Sequence, residues 1–221
     1  MNYSFTDRTG GLSTGAFLSR NLATHVGDDP AIVLSNRAEL ESLLGLPIQF
    51  MEQVHGNTVA SVGAEIISTP VADALVTHST GIGLAVMVAD CIPLLLASSQ
   101  TVAAVHVGRK GLVNEVAISA IQEMRSHDTS AITAVVGPSI CGQCYEVSQD
   151  IFEEVTKIFP LAASKTPDGG FALDLSRALV DQLQNLGVTV VDEGRCTVED
   201  ENLYSYRRDG ATGRQVGVVW L

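Results

Sequence analysis

The chain is poor in several features that would narrow its role at once. Aromatic residues make up 5% of its 221 positions, with a single Trp, and 13 Lys and Arg face 25 Asp and Glu. The formal charge of -12 argues against a grip on nucleic acid, which needs a basic face. No run reaches the roughly 18 uninterrupted apolar residues of a membrane-spanning helix. The longest candidate, from Ile82 to Ala97, is broken by Asp90 and Pro93. Met1 to Arg8 lack the basic-then-apolar pattern of a secretory signal, so the expected location is the cytoplasm, with no membrane partner. Disulfides are rare in that compartment, which leaves Cys91, Cys141, Cys144 and Cys196 as free thiols or metal ligands. No repeat, low-complexity tract or linker divides the sequence, and residues 1–221 read as one domain with a substantial core.

Local signals give an α+β reading. Asp28-Asp29-Pro30 places a capping carboxylate and a proline at a helix start, and Gly45 supplies its stop. Short β-rich runs then follow at residues 48–54, 58–62, 83–88, 93–97 and 102–107. Helical spacing is expected over 112–124, 148–159 and 174–186, with further strands at 132–136, 188–191 and 216–220. Strands in clusters, with helices interspersed rather than alternating, favour mixed sheets over a doubly wound one.

Three short pieces carry the chemistry: Gln53-Val54-His55-Gly56, Ala89-Asp90-Cys91 and Ala104-Val105-His106-Val107-Gly108. Each puts a soft or imidazole ligand at the end of an apolar run. Two imidazoles and a thiolate suit a zinc ion with an open fourth position. Taken singly, His55 before Gly56-Asn57, a hairpin-type turn, is an ordinary surface residue and Cys91 an ordinary buried thiol. Asp90 weakens the second account, because a carboxylate inside an apolar stretch needs a partner or a task. After His106, the Gly108-Arg109-Lys110-Gly111 loop leads into a helix, a layout in which backbone amides and the helix dipole can hold an anion.

Two other segments have competing readings. Cys141-Gly142-Gln143-Cys144 lacks the βαβ setting of a thioredoxin-like pair, and no His-x-Glu accompanies it as in a nucleobase deaminase. A packed turn with free thiols remains. The tail from Tyr204 to Arg214 gathers Arg207, Arg208 and Arg214, either as anion-binding forks or as a hairpin about Asp209-Gly210 paired to the acids at 199–201.

Ordered landmarks along the whole chain make the resemblance specific. They are Asn21-Leu22, His25 to Pro30, Asn36-Arg37, Gln53 to Gly56, Ala72-Asp73 to Thr77, Ala89 to Cys91, the loop from His106 to Leu112, Gly137-Pro138 to Val147, and Ser205 to Gly210 through Trp220-Leu221. With these the sequence resembles the YfiH family, the laccase-domain or polyphenol-oxidase-like proteins that include YlmD and FAMIN. The resemblance implies a single-domain sandwich of mixed sheets with flanking helices, like the catalytic domain of cytotoxic necrotizing factor. It implies His55, Cys91 and His106 as metal ligands, zinc in preference to copper. The implied activity is phosphorolysis of adenosine, inosine and methylthioadenosine, with adenosine deamination as a side activity.

Within that expectation the partners are a purine nucleoside and phosphate, in a monomer or homodimer. Asp90 would orient a ligand or relay a proton; Arg109, Lys110, Arg207 and Asn21 would bind substrate or phosphate. The family usually carries Gly-Trp-Arg-Gly after the second histidine. Here Lys110 keeps the charge of that arginine without its fork. A cysteine hydrolase built on Cys91, editing peptidoglycan precursors, and a non-enzymatic cell-division or cell-wall partner are the alternatives. Multicopper oxidation is set aside, because five histidines with no His-x-His pair cannot furnish imidazole-rich copper clusters.

Overall fold

A computed structural model describes residues 1–66 and 68–221. The strands are β1 (Asn2–Phe5), β2 (Ile48–Gln49), β3 (Val59–Ser61), β4 (Ala74–Thr77), β5 (Gly83–Val88) and β6 (Ile92–Ala97). They continue as β7 (Val102–Val107), β8 (Thr133–Val136), β9 (Ala163–Lys165), β10 (Phe171–Leu173), β11 (Thr189–Asp192) and β12 (Gln215–Trp220). The α-helices are α1 (Pro30–Leu44), α2 (Arg109–Val113), α3 (Val116–His127), α4 (Gln149–Ile158), α5 (Leu175–Asn185) and α6 (Tyr206–Asp209). One mixed sheet has the order β1-β12-β5-β2 and another β11-β8-β6-β7-β4-β3, with a separate β9-β10 hairpin. No described helix is long and apolar enough to cross a membrane.

Side-chain alternation along the strands sets the layers. From β4, β6 and β7, Val76, Leu94, Leu96, Ala103 and Val105 point into one cluster with residues of α3, α4 and α5. Their neighbours Leu75, Leu95, Val102 and Ala104 point the other way and meet Leu84, Val86 and Val219 of the smaller sheet. The far face of that sheet, through Ala85, Met87, Val216 and Val218, packs with Leu40 of α1. The result is helix, sheet, sheet, helix. Because β5, β6 and β7 are buried on both faces, they read as continuous apolar runs rather than alternating ones.

The sandwich and the first helix agree with expectation, down to the Asp29 side chain accepting from the Ala31 amide and Gly45 in the left-handed region. Other elements differ. The run expected over 48–54 is a strand only at Ile48–Gln49, and β3 pairs in parallel with β4, so Gly56-Asn57 is no hairpin. The helix expected over 112–124 is split, because Glu115 takes a left-handed φ of 60° between α2 and α3. The hairpin reading of the tail is replaced by α6, a single turn that Ser205 caps by accepting from the Arg208 amide.

Phe5 locks the two sheets together. Its ring fills the space where a Cβ on Gly137 or Gly217 would stand, and a Cβ on Gly217 would fall 2.7 Å from Phe5 Cε1. Gly217→Ala is expected to cost about 1–3 kcal/mol through overpacking, read as a lower urea midpoint. An unchanged midpoint would mean that the ring swings aside freely.

Candidate metal and active site

The site forms where the chain crosses between sheets. Cys91 lies in the short link from β5, in the smaller sheet, to β6, in the larger. Asp90 in that link has a φ of 99°, a conformation rare outside glycine. His106 is on β7, paired with Pro93 of β6, and its side chain points to the space between the sheets. His55 arrives from the loop between β2 and β3. Gln53 fixes that loop by pairing its side-chain amide with the backbone of Met87, donating to the carbonyl at 2.8 Å and accepting from the amide at 2.8 Å.

A buried carboxylate sets the geometry of both imidazoles. Asp73, fully buried ahead of β4, accepts from the backbone amides of His55 at 2.9 Å and Gly56 at 2.6 Å, and from His106 Nδ1 at 2.8 Å. The His106 amide also donates to the Asp73 carbonyl at 2.8 Å. These contacts hold His55 at a left-handed φ of 60° and leave Nε2 of His106 facing Cys91. The two rings stand edge to face, 4.7 Å apart. Cys91 Sγ lies 4.0 Å from His55 Nε2, and one ligand atom from each of the three residues falls within 4.8 Å of the others. A Cβ on Gly108 would sit 3.0 Å from Cys91 Sγ and 3.2 Å from the His55 ring, so a larger residue there would crowd this gathering.

Charge favours a thiolate. Burial alone would push the Cys91 thiol up, but hydrogen bonding and charge from His106 and His55 outweigh it and bring it down to about 6. His106 moves the other way: burial disfavours its cation, yet the bonds to Asp73 and Cys91 raise it to about 9. The Asp73 carboxyl is lowered because His106 and the amides of Gly56 and His55 overcome its desolvation. A thiolate, two convergent imidazoles and a carboxylate behind one of them fit a divalent transition metal together with its outer support.

Asp90 makes no described hydrogen bond to a candidate ligand. Its Oδ1 accepts from the hydroxyls of Thr197 and Ser205, each at 2.7 Å, and its Oδ2 from the Arg207 amide at 2.7 Å. None of these partners is a ligand; the carboxylate that orients His106 is Asp73. Asn21 is buried, its amide engaged by Ala23, Asp28 and the Arg214 backbone amide. Arg207 donates to the Glu146 carbonyl at 2.8 Å and lies over the Tyr145 ring.

Two cavities meet at His55 and Cys91. One, of about 350 Å³, is lined by Arg109, Lys110 and Tyr145. The other, of about 300 Å³, is lined by His25, Gln53, Tyr206 and Arg214. Of the three tail arginines, Arg214 is thus the one in the cleft, half-buried, while Arg208 donates to loop carbonyls including Thr197 and Leu203. Because α2 is a single turn, the positive charge at its start comes from Arg109 and Lys110 more than from a helix dipole. Sequence reasoning missed Asp73 and His25 as site residues, and left Arg214 undistinguished among the tail arginines. An acid at the head of the apolar Ala74–Thr77 strand was the available signal for the first.

The fold and centre together define an α/β/β/α sandwich with a two-histidine, one-cysteine metal-type site. A family model described as multi-copper polyphenol oxidoreductase laccase matches residues 2–221. A purine nucleoside phosphorylase of Corynebacterium glutamicum is 42% identical, covering 98% of this chain and 93% of its own. The purine nucleoside phosphorylase YfiH of Shigella flexneri is 35% identical over 97% of this chain and 91% of its own. Among solved structures, the Neisseria meningitidis protein NMB0706 superposes with a TM-score of 0.91 at 37% identity, covering 99% of this chain and 93% of that one. The chain belongs to this YfiH-type laccase-domain family.

Replacing Asp73 with alanine removes the partner of His106 Nδ1 and unpairs the 55–56 amides. Affinity for a titrated transition metal, read by Co(II) or Zn(II) binding to Asp73→Ala, is expected to fall about 10–100-fold. Undiminished affinity would show that the carboxylate does not support the centre.

Proposed function

We propose that the chain is a zinc-dependent purine nucleoside phosphorylase acting on adenosine, inosine and methylthioadenosine, with adenosine deamination as a side activity of the same cleft. The observation that carries this reading is the convergence of Cys91, His55 and His106 between two cavities that both hold cationic side chains. The names of relatives at 35–43% identity point the same way. When bound by His55, Cys91 and His106, zinc supplies a fixed Lewis-acid charge at the cleft.

Phosphorolysis breaks the bond from C1′ of the sugar to the purine nitrogen and forms one from C1′ to a phosphate oxygen. The sugar carbon gains positive character on the way, so the nucleophile must be held close and the departing base must be polarised. The Lys110 side chain, exposed and with no hydrogen bond or ion pair among the described residues, is free to hold phosphate. Arg109 beside it lies 3.9 Å from Glu154 and shares the same cavity. Across the ligand cluster, His25 and Arg214 face the nucleoside, where donors to purine nitrogens are needed. Burial first, and then the charges of Arg214 and Arg37, lower the His25 imidazole from its ordinary range and favour its neutral, hydrogen-bonding form. Asn21 acts through Arg214, whose backbone amide it fixes at 3.0 Å.

Incubating purified protein with inosine, with and without phosphate, tests the reading. Hypoxanthine and ribose 1-phosphate are expected only when phosphate is present, and absence of turnover with any purine nucleoside would sink the proposal. Lys110→Ala is expected to raise the KM for phosphate about 10–100-fold, the loss of a charge-assisted hydrogen bond, with a smaller change for inosine.

One observation favours a second reading. Asp73, His106 and Cys91 are also ordered as orienting acid, base and nucleophile, the arrangement of a cysteine hydrolase. Iodoacetamide separates the two. Zinc is expected to block alkylation of Cys91, whereas a free nucleophile is alkylated at the same rate with zinc or with chelator.

A further inference from the structure

The Cys141–Cys144 turn is not isolated. Cys196 and Glu199 approach it from the segment after β11, so that two pairs of potential ligands, each spaced three residues apart, face one another. One ligand atom from each of the four residues lies within 4.8 Å of the others. We propose that Cys141, Cys144, Cys196 and Glu199 form a second, structural zinc site, separate from the His55–Cys91–His106 centre.

The backbone is already shaped for it. The amides of Cys144 and Tyr145 donate to the Cys141 carbonyl at 3.1 and 3.0 Å, and the Asp200 amide to the Cys196 carbonyl at 3.0 Å, so each pair sits on a tight turn. A parallel bridge between Ser139 and Cys196 keeps the two segments in register. The Cys141 amide donates to Cys196 Sγ at 3.4 Å, a contact that stabilises a thiolate. None of the three sulfurs is in a disulfide.

Ligand chemistry selects the ion. Three thiolates and one carboxylate are too soft for calcium or magnesium and match a tetrahedral zinc centre. Bonds of about 2.3 Å to sulfur place tetrahedral ligand atoms about 3.8 Å apart, so the four atoms need only close in slightly.

The site would act on the cleft from outside it. Tyr145, next to Cys144, lines the Arg109–Lys110 cavity. Thr197, next to Cys196, donates to Asp90, whose neighbour is Cys91. Zinc would clamp these two segments and hold both walls of the cleft.

Metal content decides the matter. Protein stripped with chelator, kept reduced and titrated with zinc is expected to bind two tight equivalents. Cys91→Ala is expected to bind one, with a rise in Tm, and Cys91→Ala/Cys144→Ser/Cys196→Ser none. If the first centre does not hold zinc, wild type and Cys91→Ala each bind one, so failure of that reading does not mimic failure of this one. A Cys91→Ala protein that binds no zinc overturns the proposal, as does a Cys141–Cys144 disulfide in protein purified with zinc. Should the triple variant not fold, zinc-edge anomalous diffraction from zinc-loaded wild type serves instead. A peak within bonding distance of all four residues is expected, and none at that position overturns the site.

Discussion

The Asp73 carboxylate is the contact on which the site depends. It sits fully buried, where an unpaired charge would be costly, and is kept there by His106 Nδ1 and the amides of the 54–56 turn. These partners belong to two chain segments, a loop and a strand, that carry the two imidazoles. One side chain therefore fixes the tautomer of one histidine and the backbone of the other. The burial that would destabilise a lone carboxylate keeps water from competing for those bonds. Cys91 joins from a third segment, and Gly108 leaves the room in which all three approach.

Asp90 plays the equivalent part for the rim. Its three donors come from the segments at Thr197 and Ser205–Arg207, which wrap the link carrying Cys91. Arg207, held at its backbone by Asp90, reaches Glu146 and covers Tyr145. Positive charge in an acidic protein is concentrated around this cleft, with Arg109 and Lys110 on one side of the candidate ligands and Arg214 on the other. The overall field repels anions; local placement reverses that at short range.

Much of this was legible in the residues. The three candidate ligands were readable because each stands at the end of an apolar run, and α1 because its cap, proline and terminal glycine agree with one another. The strands β5 and β7 were clear for the same reason: burial on both faces leaves them uniformly apolar. What could not be read is what depends on tertiary pairing. The 50–54 segment has strand-like composition, yet Gln53 satisfies the Met87 backbone with its side chain and the ladder ends early. Choosing between Asp73 and Asp90 as the support of His106 required knowing which strand lies beside β7. Arg207, Arg208 and Arg214 are alike in sequence, and only the path of α6 and the start of β12 separates a cleft residue from two that brace loops. The laccase wording of the family model likewise meets a donor inventory it does not match. Among the described residues, the only clusters of three or more donors are the His55–Cys91–His106 set and the Cys141–Cys144–Cys196–Glu199 set.

The strand order has a consequence for how the molecule is made. Strand β12, late in the chain, lies between β1 and β5, and β1 touches its sheet only through β12. Until Gln215–Trp220 has been synthesised, the first strand has no place to dock and β5 presents a bare, apolar edge. Such an edge invites pairing with foreign strands, and closing a loop of this span is slow. A growing chain therefore carries this adhesive edge from the emergence of β5 until β12 emerges to cover it.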